Sequence, residues 1–381
     1  MKSNTFIKLI TISTIAGFAS TPAVAQAFVW DGDVSKSWDN KKNWSFNGSP
    51  ATSSPTAGSD VEIPDISGVM GAVFPEFDVA SLSIASLDVE PSATLNVATN
   101  KELTVTGATN QATISGLMIL DGAGSKFFIS GAEGLQIVSG GELRVGSSAE
   151  VIVSGVGGMN DIAGLLDLNG TGATLTLSAD SDGTDAHTID GTIEIASGAL
   201  IDVLNDMDFE GTGQIEGQGS TAKIQLAIGT TKLTNELATA GEGIRGQLQI
   251  VKASGLGANP TFMNKGVVEA RGGVLELTSA VALSDSAAAE FRVDASGTLR
   301  FSKSATSLAG DFFVVSGEMD FVQSVTTSGA LDYTDLNTIT IASGKAFQFA
   351  SYAAGSDCSD LHQAVAGNGD FIINATVTAC P

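Results

Sequence analysis

A chain of 381 residues with 42 acidic and 18 basic side chains has a formal net charge of −24. That balance excludes a nucleic-acid-binding or anionic-membrane-binding surface, since both need a cationic face. An apolar content of 43% excludes a disordered chain despite the 45 glycines.

Residues 1–25 read as a secretory signal peptide. Lys2 and Lys8 supply positive charge, Leu9 to Phe18 is a short apolar stretch, and Ala23-Val24-Ala25 offers small residues for cleavage after Ala25. Ala27 is the second choice. The apolar run is too short to span a bilayer, so an exported protein is expected, extracellular or on a bacterial cell surface, with no transmembrane segment once the signal is removed.

Residues 26–78 are irregular and contain every tryptophan, Trp30, Trp38 and Trp44. They are expected to form an N-terminal cap. Residues 79–350 repeat one unit, a short apolar strand followed by a turn of Gly, Ser, Asp or Asn. Leu82-Ser83-Ile84, Glu102-Leu103-Thr104-Val105, Glu142-Leu143-Arg144-Val145 and Thr192-Ile193-Glu194-Ile195 are examples. Their alternation buries one side of each strand and leaves the other to water. Strands this short, returning about every 8–12 residues, predict an all-β chain.

Two architectures bury such a row, a two-layer sandwich or a coil. A sandwich favours tight Asn-Gly or Asp-Gly hairpins. The turns here are looser and carry similar strands onward, which predicts a single-stranded parallel β-helix, a solenoid. At about 20–25 residues per lap and about 4.8 Å between laps, the body would have about 12 laps and a length of about 55–60 Å. The glycines are read as positive-φ turn residues.

Residues 351–381 are expected to close the far end. A helix is predicted around Ser359 to Ala366 and a strand from Phe371 to Val377. Cys358 and Cys380, in an exported chain, predict a disulfide that stabilises this segment by about 3 kcal/mol. Covered ends matter because a solenoid otherwise exposes unpaired strand edges.

The N-terminal region resembles a known pattern. Trp30-Asp31-Gly32, Trp38, Asn43-Trp44, Pro55 to Asp60 and Val61-Glu62-Ile63-Pro64 are similar to the opening of many bacterial secreted β-solenoid proteins, autotransporter passenger-like surface proteins among them. Ser59 departs from that pattern by standing between Gly58 and Asp60. The likeness covers about 35 residues closely and the body only in style. It implies a right-handed winding, an N-terminal cap, and display at or release from the cell surface.

Chemistry-bearing clusters are few. Between Arg144 and Lys223 there are thirteen acids and no Lys or Arg. Within that stretch Asp180, Asp182 and Asp185 flank Gly183, an arrangement that calcium loops use because the cation takes oxygens from a sharply bent backbone. The match is partial, with no Glu at the far end of the loop, and a solvated acidic turn is the competing reading. Asp206 and Asp208, with Asp202 nearby, form a second, weaker cluster. His187 and His362 have no Cys or His at zinc-ligand spacing and are read as surface or packing residues.

No catalytic set stands out. Carboxylate pairs for glycoside hydrolysis can always be drawn in so acidic a chain. Between Trp44 and Tyr333 there is no Trp or Tyr to face a sugar, and the five arginines are dispersed in sequence. The expected function is therefore a non-enzymatic secreted or surface β-helix with an adhesive, matrix or structural role. Its partner would be a surface, matrix or host glycan or protein. The alternatives are a polysaccharide lyase or hydrolase of the same fold, or a carbohydrate-binding module whose tryptophans line an exposed groove.

Overall fold

A computed structural model describes residues 27–352, apart from 108–111, 131–133, 155–159, 179–185, 228–231, 238–242, 256, 258, 295, 334–337, 344 and 350, together with 365–367 and 370–373. Successive strands climb as a parallel β-solenoid with three faces. Strands three apart in sequence order pair with each other, or two apart in mid-body, so each lap lies on the one before.

The first face runs from Ala27–Trp30 through Asp60–Ile63, Ser86–Val89 and Ala112–Ile114 to Ala282–Asp285 in one 13-stranded sheet. A four-stranded sheet takes the same place in the last laps, from Ala305–Leu308 to Asp370–Ile373. The second face begins with Glu76–Phe77 and Thr94–Val97, the third with Ser81–Ile84 and Glu102–Val105. These two faces belong to one 23-stranded sheet. In mid-body Gln214–Leu226, Gly243–Lys252 and Val267–Leu277 run unbroken from the second face into the third.

Period-two alternation becomes interior ladders once laps stack. Leu95, Met118, Leu143, Leu166, Ile193 and Ile215 are successive register partners, and all are buried. Toward the C-terminal end the ladders turn aromatic. Phe301 stacks on Phe321 at 5.1 Å, and Phe321 on Phe347 at 4.1 Å. Rings that pack at such distances fill more of the lap interior than Leu or Ile, and add roughly 0.5–1.5 kcal/mol per pair beyond area burial.

The glycines act differently from the expectation at one corner. Gly116, Gly141, Gly164, Gly191 and Gly213 turn the chain from the first face to the second without positive φ. A Cβ on Gly164 would overlap the carbonyl oxygen of Gly141, one on Gly191 that of Gly164, and one on Gly213 that of Gly191. Close approach of stacked backbones is what demands glycine here. Positive φ is the reason at other positions, such as Gly140 and Gly172.

Three segments cover the three sheet edges at the N-terminal end. Ala27–Trp30 pairs in parallel with Asp60–Ile63, as a preceding lap would. Glu76 of the second face bonds to Lys36 and Trp38, and Ser83 of the third accepts the N–H of Gly58 at 3.0 Å. The antiparallel strands Trp44–Phe46 and Ser49–Pro50 extend the first edge outward and end it on a proline. Proline lacks the N–H that a further strand would need.

The predicted helix is corrected in its last residues, since Val365–Gly367 is a strand paired with Thr338–Ile341. Residues 1–26, with the cleavage site at Ala25, and both Cys358 and Cys380 lie outside the described residues.

Candidate functional site

Asp180, Asp182 and Asp185 belong to the connection between Thr174–Ser178 and Ala186–Ile189, and also lie outside the described residues. That connection is at the corner from the third face to the first. Nearby laps carry their longer connections at the same corner, between Val105 and Ala112, Ser154 and Asp161, and Lys252 and Thr261. Solenoids commonly gather insertions on one edge in this way.

The second acidic cluster does not assemble. Asp202 projects from the third face, where Gln225 donates to it at 3.1 Å, and Asp208 lies on the first face. Asp206, between them in sequence, accepts the backbone N–H of Lys232 at 2.6 Å. Among the described residues no group of three or more His, Cys, Asp or Glu side chains converges as a metal site would.

The tryptophans are buried, not displayed. Trp30, Trp38 and Trp44 are each 1% exposed or less. Trp44 stands edge-on to both Trp30 and Trp38, and its Nε1 donates to the carbonyl of Trp38 at 2.8 Å. Asn43, also buried, accepts the N–H groups of Val34 and Ser35 and donates to the carbonyl of Ser37. These side chains form the interior of the cap, so the exposed sugar-binding groove is excluded for them.

His187 is buried within the solenoid, as one of the two readings for it expects. Its Nδ1 accepts the backbone N–H of Asn160 at 3.2 Å. The Asn160 side chain in turn accepts the N–H of Leu135 at 2.9 Å. This polar chain links three laps through an otherwise apolar interior lined by Ile162, Leu175 and Phe209.

The feature that sequence reading missed lies outside. Arg144, Asp167, Glu194, Glu216, Arg245, Glu269 and Arg292 are successive register partners pointing outward from the second face. Three of the five arginines, dispersed in sequence, thus enter a single column. Arg245 pairs with Glu216 at 2.9 Å, and Arg144 approaches Asp167 at 3.7 Å. Arg292 pairs with Glu290 at 2.9 Å and lies 4.9 Å over the ring of Phe313. Only lap spacing, at 20 residues for Arg300–Asp320 and 29 for Glu216–Arg245, would have revealed such neighbours.

Burial shapes the acids of these columns. Glu269 is 3% exposed, and burial pushes its carboxyl above the usual range while Arg292 beside it pulls the other way. Asp167 is raised by burial and then by Glu194. On the first face burial raises Glu62 and Asp88, and Glu90 adds repulsion to both. That face carries Glu62, Asp88, Asp161, Asp208 and Glu210 outward, with no Lys or Arg on its strands before Lys232.

Among the described residues no helix is long and apolar enough to cross a membrane. No family model matches the chain. No curated protein matches it either. Among solved structures, a TibC-catalysed, hyper-glycosylated fragment of TibA is similar over 79% of this chain and 94% of that one, at 14% identity and a TM-score of 0.30.

Proposed function

We propose that the chain is an exported, autotransporter passenger-like β-solenoid that serves as an adhesive, matrix or structural element outside the cell or on its surface. The outward column from Arg144 to Arg292 carries this reading. It places a charged side chain at the same position on lap after lap of a stiff, continuously hydrogen-bonded ladder. That column mixes both signs and pairs largely within itself, which stiffens the ladder. The acidic positions repeated on the first face offer recurring contacts to an extended partner, and repeated weak contacts add up to firm attachment. The anionic first face keeps the rod soluble and away from like-charged surfaces. Cleavage after Ala25, a Cys358–Cys380 bridge and calcium at Asp180, Asp182 and Asp185 belong to the same proposal.

Surface proteolysis and fractionation of intact producing cells test the location, and binding to immobilised matrix glycans and proteins tests the role. Protein on the surface or in the medium that retains such a partner supports the reading. Confinement to the cytoplasm, or new reducing or unsaturated ends released from a polysaccharide panel, would overturn it. For calcium, chelation by EDTA is expected to lower the melting temperature, and unchanged melting removes the metal from the proposal.

A further inference from the structure

We infer that the solenoid has a built-in opening point on its first face, between Ala282–Asp285 and Ala305–Leu308, held shut by the carboxylate of Asp285. The inference stands apart from the export and adhesion readings. Lap-to-lap pairing on this face reaches Ala282–Asp285 without a break and resumes between Ala305–Leu308 and Val325–Thr327. Among the described residues no strand pairing and no backbone hydrogen bond joins the two sides. The other two faces cross the same level intact. Glu290–Asp294 pairs with Asp311–Val314, and Gly297–Phe301 with Gly317–Phe321. Aromatic rings reinforce both, with Phe291 stacked on Phe312 and Phe301 on Phe321, each at 5.1 Å. Beside these bulky rings the first-face strand loses its alternation. Leu283 is only half-buried, whereas its register partner Phe262, one lap below, is fully buried.

The Asp285 side chain bridges the gap. It accepts the backbone N–H of Ala309 at 2.7 Å and that of Gly310 at 2.9 Å, one on each oxygen. The two laps before it place amides at this corner. Asn235 donates to Asn264 at 2.8 Å, and Asn264 to the carbonyl of Glu290 at 3.1 Å. An ionised carboxylate can only accept, so at Asp285 the row of amides ends and the side chain turns to the next lap. Gly310 makes room for it, since a Cβ there would stand 3.0 Å from Oδ2. Two bonds to one side chain thus replace the backbone bonds of an ordinary lap, and the ladder parts here before it parts elsewhere. Opening lifts the C-terminal laps away on the first face and uncovers Ala305 and Leu308, which are buried, while the second and third faces act as the hinge.

Hydrogen exchange of the native full chain, resolved to single residues by electron-transfer fragmentation and corrected for intrinsic rates, tests this. Ala309, Gly310 and Asp311 are consecutive and all donate, the first two to Asp285 and the third to the carbonyl of Ala289 at 2.9 Å. The N–H groups of Ala309 and Gly310 are expected to exchange at least about tenfold faster than that of Asp311. Asp285→Asn keeps one acceptor oxygen, and should speed the first two further while leaving Asp311 unchanged. Equal protection of all three in the parent would overturn the opening point. A variant that exchanges like the parent would remove Asp285 from it, and one in which Asp311 speeds up equally would overturn the hinge on the second face.

Discussion

Gly191 and Gly272 are both turn glycines, yet replacing them should have unequal consequences. A Cβ on Gly191 overlaps a backbone oxygen one lap away, whereas Gly272 has open space around it and a φ of +67°. Gly191→Ala must push two laps apart and is expected to cost on the order of 3 kcal/mol. Gly272→Ala meets only the left-handed strain of about 1 kcal/mol. Chemical denaturation of the two variants compares them, and equal losses would contradict the stacked corner. Glu269 is a second residue-scale case. Glu269→Gln keeps the shape between Arg245 and Arg292, and should leave melting near the parent at neutral pH while flattening its response to acid. Glu269→Ala also removes the side-chain volume and polar end that Gln keeps at this buried position and should melt earlier, as a cavity there requires.

The N-terminal cap is an element that can be followed by itself, because all three tryptophans lie inside it. Tryptophan emission therefore reports cap opening, while far-ultraviolet circular dichroism reports the whole ladder. Trp44→Ala removes the ring that joins Trp30, Trp38 and Phe28, and should cost about 3–5 kcal/mol within the cap. Once the cap opens, the edges of Asp60–Ile63, Glu76–Phe77 and Ser81–Ile84 lose their cover, and concentration-dependent aggregation should follow. Light scattering during a thermal ramp checks this, and a Trp44→Ala chain that stays monomeric through cap opening would contradict the edge-covering role.

Element by element, legibility in the sequence followed the range of the signal. Alternation at Leu143/Val145 or Ile193/Ile195 is local, so strands and their buried sides could be read directly. The cap tryptophans were readable by composition, although their burial was decided only by Asn43 and the ring contacts around them. The column from Arg144 to Arg292 was invisible because its members are a full lap apart and lap length varies with the connections. The corner glycines were recognised as turn residues, but their cause is a neighbour one lap away, which no local pattern carries. The candidate calcium loop at Asp180 to Asp185 had only a partial motif, and its fold context adds its corner alone.

At the scale of the whole molecule, carboxylates partly withdrawn from water set the response to pH. Glu62, Asp88, Asp167, Asp202, Glu269 and Asp285 all have pKa values raised chiefly by burial, whereas Asp65 is held low by its bonds to Ser67. A carboxyl with a raised folded-state pKa binds protons more readily in the folded chain than in the unfolded one. Stability therefore increases as pH falls through that folded-state range and is lost again as pH rises. Relief of repulsion among the acids acts in the same direction. The melting temperature should rise as pH falls from neutral toward the ordinary carboxylate values of 3.8 and 4.5. A steady fall over that window would show that the acids are held by partners rather than strained by burial.

Lap-on-lap stacking is the claim on which cap, columns and corner all rest, and distances between spin labels test it most directly. Thr94, Thr192 and Glu290 are equally spaced in sequence and share one outward column of the second face. The register puts four laps between the first pair and four between the second. Pulsed dipolar measurements on labels at Thr94 and Thr192, then at Thr94 and Glu290, should give separations near 19 Å and about twice that, as a rise of about 4.8 Å per lap requires. Two separations that do not stand near one to two would contradict the solenoid.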